Sequence, residues 1–207
     1  MMEQTELKTP AILMDLALPI TTPRLVIRPV VTGDGAEIHV AKTESWDLIQ
    51  NWMPWAHTMS TLDEDEETAR RAHARYILRE DLMMVACERE TMRPIVFTGI
   101  HRFDWKIRRM EIGYWCRRDA LGQGYVTESS NALIRYAFGA LNARTVAICH
   151  ADGNDNSRRV IERLGLKMEG RMVNDCVTHD GVVRDHLWYS TTDTTCMPDL
   201  DVHWGTT

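Results

Sequence analysis

The sequence predicts a single α/β domain: a mixed, mostly antiparallel sheet flanked by helices. Three observations predict it. The chain has 207 residues, about 1.4 times a typical domain, so one domain is the default. Short β-type runs alternate with helical ones between residues 25 and 189. Several of those runs follow one another with only turn residues between them, which makes hairpins rather than a regular doubly wound alternation. Composition agrees, since 44% hydrophobic and 26% charged residues are ordinary globular values. A domain of this length buries roughly 70% of its unfolded surface without disulfide staples.

The elements follow in order. Residues 1–21 read as a leader, and Leu25-Val26-Ile27 after Pro23 as a short strand. Apolar Ile38, Val40, Ala41, Trp46 and Ile49 fall at helical spacing, which predicts a helix from Gly35 to Ile49. Trp52 and Trp55 enclose Met53-Pro54 in the loop that follows. Thr61-Leu62-Asp63-Glu64 has the spacing of a capping box and starts a second helix. Asp63 to Glu67 then lie in its first turn, where carboxylates favour the positive end of the dipole. That role suits a solvated helix start better than a metal site, and no metal is predicted. Leu82–Cys87 and Ile95–Phe103 read as strands joined through Thr91-Met92-Arg93-Pro94, and Met110–Cys116 as a third. Leu133, Ile134, Ala137, Phe138 and Leu141 define one face of a helix from Gly124 to Leu141. A strand Thr145–Cys149, a helix Ser157–Leu164 stopped by Gly165, and closing strands at 167–176 and 183–189 complete a domain spanning 22–190. Residues 191–207 read as a polar tail.

Thirty acidic residues against 24 basic ones give a formal net charge of −6, which disfavours broad nucleic-acid binding. Five cysteines without Cys-x-x-Cys spacing point to free thiols in a reducing compartment, hence a cytoplasmic location. The apolar run from Ala11 to Ile20 is broken by Asp15 and preceded by acidic residues, so neither a signal peptide nor a membrane span is expected.

The segment from Arg117 to Glu128 carries the most chemistry. It joins a strand to a long helix, with Gly122 and Gly124 at the junction. Glycine lets a ligand approach the main chain, and a helix start presents unpaired N–H groups with partial positive charge. Thr127 adds a hydroxyl, and Arg117 or Arg118 a charge-assisted donor. The unit therefore suits a phosphate, although the same glycines also make a plain tight turn, and spacing alone leaves both open. A dinucleotide fingerprint needs glycine where Thr127 stands and a carboxylate near Asn142 to Arg144, and a nucleoside-triphosphate loop needs Gly-Lys-Ser/Thr. Neither pattern is met.

These residues resemble the GNAT superfamily of acyl-CoA-dependent N-acetyltransferases, in particular its branch acting on alanine or serine N-termini of ribosomal proteins. Glu111 to Trp115 and Gly122 to Glu128 are similar to its central strand and loop. Asn154-Asp155-Asn156-Ser157-Arg158-Arg159, Leu164-Gly165-Leu166 and Glu169-Gly170 follow in the branch's order, and Thr22-Pro23-Arg24-Leu25 with Asp34 match its opening. The resemblance covers residues 22–190. Two positions depart from it: Asp119 stands where the family has glutamine or arginine, and Ile161 where many relatives have a tyrosine acid.

The resemblance implies a GNAT-like splayed sheet, acetyl-CoA as cosubstrate and direct attack by an amine. Coenzyme A would lie against Tyr114, Trp115 and Cys116 of the strand. Its pyrophosphate would meet Arg117, Leu121, Gly122, Gln123, Gly124, Tyr125, Val126 and Thr127, with Asn154 on the pantetheine arm and Arg159 nearby. Ser157 would donate to the leaving thiolate, and main-chain N–H groups at 114–116 would hold the oxyanion. Glu111 is the first candidate base; Asp175, His179, Asp185, His150 and a solvent chain stay open. Trp52 and Trp55 would floor the acceptor groove. An α-amine, near pKa 8, loses its proton more easily than lysine near 10.4. A protein N-terminus is therefore the leading acceptor, with a small amine or antibiotic as the alternative and a non-catalytic acyl-CoA-binding module as the rival. Cys116 and Cys149 read as buried thiols, and a homodimer is a family-level expectation.

Overall fold

The computed structural model describes residues 10–205. Along the chain come β1 (Ile20–Thr21), β2 (Leu25–Pro29), α1 (Gly35–Ile49), α2 (Leu62–Leu78), β3 (Leu82–Glu88), β4 (Pro94–Asp104) and β5 (Arg109–Cys116). Then follow α3 (Tyr125–Gly139), β6 (Thr145–Ala151), α4 (Asp155–Leu164), β7 (Lys167–Val177), β8 (Val183–Thr191) and β9 (His203–Trp204). The strands form one sheet in the order β7-β8-β6-β5-β4-β3-β2-β1-β9. Every neighbouring pair is antiparallel except β5 with β6.

That exception shapes the molecule. Only Arg109↔Thr145, Met110↔Val146 and Glu111↔Ala147 are paired; beyond them the two strands part. The crossover through α3 is what two parallel neighbours require. The expected splayed, mostly antiparallel sheet is therefore present.

Strand alternation divides the core between two faces. Met110, Ile112 and Cys116 of β5 join Ile148, Leu133, Ile134, Ala137, Ile161 and Leu164 under α3 and α4. Trp115, on the opposite face, packs with Phe97, Val85, Ile38, Ala41, Ala69 and Ala72 under α1 and α2. The predicted capping box holds: the Thr61 side chain accepts from Glu64 N–H, and Glu64 reaches back to Thr61 N–H. The acidic first turn is not wholly solvated, however. Asp65 is fully buried, bonded to Lys42, His39 and Ser60, and so fastens α2 to α1.

The sheet reaches past residues 22–190 at both ends. Ile20 and Thr21 pair with Trp204 and His203, and Trp204 packs edge-on to Tyr136 with ring centroids 5.8 Å apart. Met197 is buried, and Pro198 O accepts from Asn131 Nδ2 at 2.8 Å. Residues 1–9 of the leader and 206–207 of the tail lie outside the described residues.

Candidate active site

After β5, Arg117 N–H donates to Ile95 O at 3.0 Å, and a short 3-10 turn at Arg118–Ala120 leads into the glycines. Gly122 and Gly124 adopt φ of 74° and 83°, which L side chains resist. A Cβ at Gly122 would meet nothing within 4 Å, so the requirement there is conformational, not steric. The first helical bond of α3 runs from Glu128 N–H to Gly124 O. Among the described residues, no protein acceptor takes the N–H groups of residues 122–127. Thr127 Oγ1 is buried beside them without a partner. Six free amide donors at a helix start, with an orphaned hydroxyl, fit a pyrophosphate.

The flanking charges correct the sequence reading. Arg117 is 2% exposed and turned inward, donating to Pro94 O and pairing with Glu37 and Glu44 of α1. Its guanidinium locks the loop's root and is unavailable to a phosphate. Arg118 pairs with Asp47. Asp119 is bound by Arg93 at 2.6 Å, which raises the Arg93 pKa and offsets the carboxylate's repulsion of an anion. The cation at the loop is Arg24, which the sequence reading missed. It pairs with Glu128 at 2.6 Å, donates to Gln123 O, and lies 4.4 Å from the Tyr125 ring centroid. Thr-Pro-Arg-Leu at 22–25 was the available signal.

Within the splay, the Arg117 N–H bond to β4 fixes the alternation of β5. The main chain of Tyr114 and Cys116 therefore faces the gap left by β6. The Tyr114 hydroxyl lies 2.8 Å from Ser157 Oγ, and burial pushes its pKa far above the usual phenol range, so it stays a neutral donor. Helix α4 begins two residues before Ser157, and its N-cap is Asn154, whose Oδ1 accepts from Ser157 N–H at 3.2 Å. The helix therefore starts earlier than Ser157, and Asn154 caps it. Among the described residues, Asn154 Nδ2 has no partner and is free for a ligand carbonyl. Arg159 is exposed on the second turn of α4, bonded to Asn156. Ile161 is fully buried in the core.

The face under α1 and α2 is aromatic. Trp115 stacks on Phe97 with centroids 4.1 Å apart, Trp55 tilts over Trp115 at 6.3 Å, and Lys42 Nζ lies 5.0 Å from the Trp55 ring centroid. Trp52 lies under Arg184 of β8 at 5.7 Å, so the loop after α1 meets the β7–β8 hairpin. Trp115 therefore belongs to this face, opposite Tyr114. Glu111 lies here too, but its carboxylate accepts from Arg102 and from the Cys149 thiol at 3.6 Å. Burial and Glu111 push Cys149 up to about 12, and burial pushes Cys116 up to about 11. Neither thiol is a ready thiolate, so acyl-cysteine chemistry has no support.

Of the other acid–base candidates, Asp185 is held by Arg171 and Asn174 N–H, which lower its pKa. His150 is buried and hydrogen-bonds Ala151 O at 2.9 Å, a structural arrangement. Asp175 pairs with His186 at 2.7 Å. Another histidine–aspartate pair escaped the sequence reading: His101 Nδ1 lies 3.0 Å from both oxygens of Asp81. No group of three metal-ligating side chains occurs among the described residues.

A strand pair that parts beside a bare-amide helix start is the architecture of an acyl-CoA-dependent acyltransferase. Residues 24–167 match the acetyltransferase (GNAT) domain, and the chain belongs to that family. Its domain is that of an acetyltransferase. It is 41% identical over 92 residues to the Bacillus subtilis (strain 168) protein named "Putative ribosomal N-acetyltransferase YdaF", covering 44% of this chain and 50% of that protein. The match thus spans half that relative's length. Against the ribosomal-protein-serine acetyltransferase of Escherichia coli (strain K12) it is 27% identical over 136 residues, 63% of this chain and 71% of the other. The solved structure of Mycobacterium smegmatis RimJ in complex with CoA-disulfide superposes with a TM-score of 0.73 at 21% identity, covering 86% and 87% of the two chains. No helix among the described residues is long and apolar enough to cross a membrane.

Proposed function

We propose that this acetyltransferase modifies the α-amine of a protein N-terminus, with a ribosomal protein as the leading acceptor. The observation that carries the reading is the aromatic surface of Trp55 over Trp115, with Trp52 of the same loop set against Arg184 of the β7–β8 hairpin. Flat aromatic walls suit an extended chain end. The names of the two curated relatives, both ribosomal acetyltransferases, support the same acceptor class.

In this reading the free amides at 122–127, with Thr127, hold the pyrophosphate, and Asn154 Nδ2 orients the pantetheine arm. The N–H groups of Tyr114 and Cys116 face the thioester and are aimed where negative charge develops. The Tyr114–Ser157 hydroxyl pair donates toward the thiolate as the C–S bond breaks. This pair takes over the task of the tyrosine that Ile161 replaces.

The test is acetyl-CoA turnover against a panel of peptides and small amines, with mass spectrometry locating the acetyl group. Transfer to peptide α-amines, led by alanine- or serine-initiated sequences, is the expected result. Transfer confined to small amines overturns the acceptor and favours the small-amine alternative.

A further inference from the structure

We infer that His101, oriented by Asp81, is the proton acceptor for the incoming amine. The inference rests on the acetyl-transfer reading and names a base that Glu111 does not readily provide.

The cross-strand ladder between β4 and β5 presents three successive pairs to the acceptor face. They are Phe97 with Trp115, Gly99 with Gly113, and His101 with Glu111. The aromatic pair is stacked, and the glycine pair leaves an empty step beside it. The His101 ring leans into that step. A Cβ at Gly99 would lie 2.7 Å from the ring's Cε1, and one at Gly113 would lie 3.3 Å from Cδ2 and 3.6 Å from Nε2. Two adjacent positions thus lack side chains where an imidazole lies flat on the sheet. Nε2 itself would lie 2.8 Å from a Cβ at Gly99, and Gly113 stands two residues beyond Glu111, the last residue of β5 paired with β6, so the ring lies on the sheet near the point where the two strands part.

The hydrogen bonds fix the tautomer. A carboxylate only accepts, so the Asp81 contact places the neutral ring's proton on Nδ1 and leaves a lone pair on Nε2. Among the described residues Nε2 has no partner, and the side chain is 29% exposed, open to an incoming ammonium. Asp81 is 13% exposed and is also approached by Arg75 of α2 at 3.5 Å. The other charges at the ring are Glu111 and Arg102, which pair with each other. Glu111 shares the face, but Arg102 and the Cys149 thiol occupy its carboxylate, whereas Nε2 is unoccupied.

The step balances. Nε2 takes one proton from the R–NH3+ acceptor and later returns it to solvent. The freed nitrogen lone pair forms the C–N bond, and the C–S bond breaks with its electrons on sulfur. The second nitrogen proton reaches that sulfur through the Tyr114 and Ser157 hydroxyls, each accepting one proton as it donates one.

The test compares wild type, His101→Gln, Asp81→Asn and Glu111→Gln with two acceptors: a peptide α-ammonium and trifluoroethylamine, which is unprotonated at pH 7. His101→Gln is expected to lower kcat for the peptide by roughly 100-fold, in the range for general-base catalysis. The same variant should lower the weak amine's rate by less than ~3-fold, since that amine has no ammonium proton to lose before attack and its later N–H proton goes to sulfur through Tyr114 and Ser157. Raising pH should restore the peptide rate. Asp81→Asn, which changes the positioning residue, should behave alike, and Glu111→Gln should spare the difference between amines. Nitrogen NMR of the ring, recorded without substrate, should show the Nδ1–H tautomer in wild type and its loss in Asp81→Asn. Equal loss with both amines, no loss, or an Nε2–H ring in wild type overturns the role of His101. If wild type acetylates small amines only, the protein N-terminus falls, while strongly and weakly basic small amines still decide for or against His101. No transfer by wild type to any amine overturns both.

Discussion

The two ends of the cleft are built in opposite ways. At the end proposed for the pyrophosphate the groups are six consecutive main-chain amides, set by two glycines in one short segment. At the end proposed for the acceptor they are side chains brought together from the loop after α1, from β4 and β5, and from β8. Main-chain donors survive side-chain substitution so long as the backbone keeps its path; a side-chain surface does not. The first end should therefore be sensitive to conformation and the second to chemistry.

The largest expected effect lies at the loop. Gly124→Trp forces a side chain onto a φ of 83° and covers the amides, so coenzyme A affinity by calorimetry should fall on the order of 100-fold with an unchanged circular dichroism spectrum. Unchanged affinity would break the contrast at its root. Next, Arg117→Met removes a buried guanidinium from Glu37 and Glu44. Those glutamates are half exposed, so the loss in denaturant stability is discounted to about 2 kcal/mol. Tyr114→Phe should lower kcat by roughly 10-fold with KM for acetyl-CoA unchanged, the pattern of an interaction made in the transition state. Smallest of all, Gln123→Ala should change affinity by less than ~3-fold, since its side chain donates only to Asp119 O within the loop and the ligand would meet its main-chain amide; a large loss would show that side chains matter at this end too.

Alkaline stability gives a separate check on the cleft wall. Cys149 keeps its proton in the folded protein to about 12, against 9.0 for the unperturbed thiol. Between those values the folded state binds more protons than the unfolded one, so stability falls as pH rises from 9 towards 12. Cys149→Ala should flatten that slope in denaturant titrations at successive pH values; an unaltered slope would assign the decline to other groups.

The same contrast governs how much was readable from the chain. The loop was legible because its glycines, strand and helix are contiguous, and the capping box at Thr61 was legible for the same reason. Helix α4 was placed two residues late because Asn154, not Ser157, caps it. Arg117 looked like a phosphate ligand because nothing in its neighbourhood reveals Glu37 and Glu44, some 70 to 80 positions away. His101 was invisible for a related reason. Its surroundings depend on Asp81, which β3–β4 pairing brings beside it, and on two glycines that stand on different strands. The polar tail hid a strand of only two residues, too short to show an alternation.

Only three residue pairs join β5 to β6, so the sheet is one ladder with several rungs missing at its centre. A cosubstrate whose arm carries amide groups can bond to Tyr114 and Cys116 and supply those rungs. Binding should then stiffen the junction between the two halves of the molecule. Deuterium uptake at these two amides, rapid in the free protein, should slow sharply once the cleft is filled.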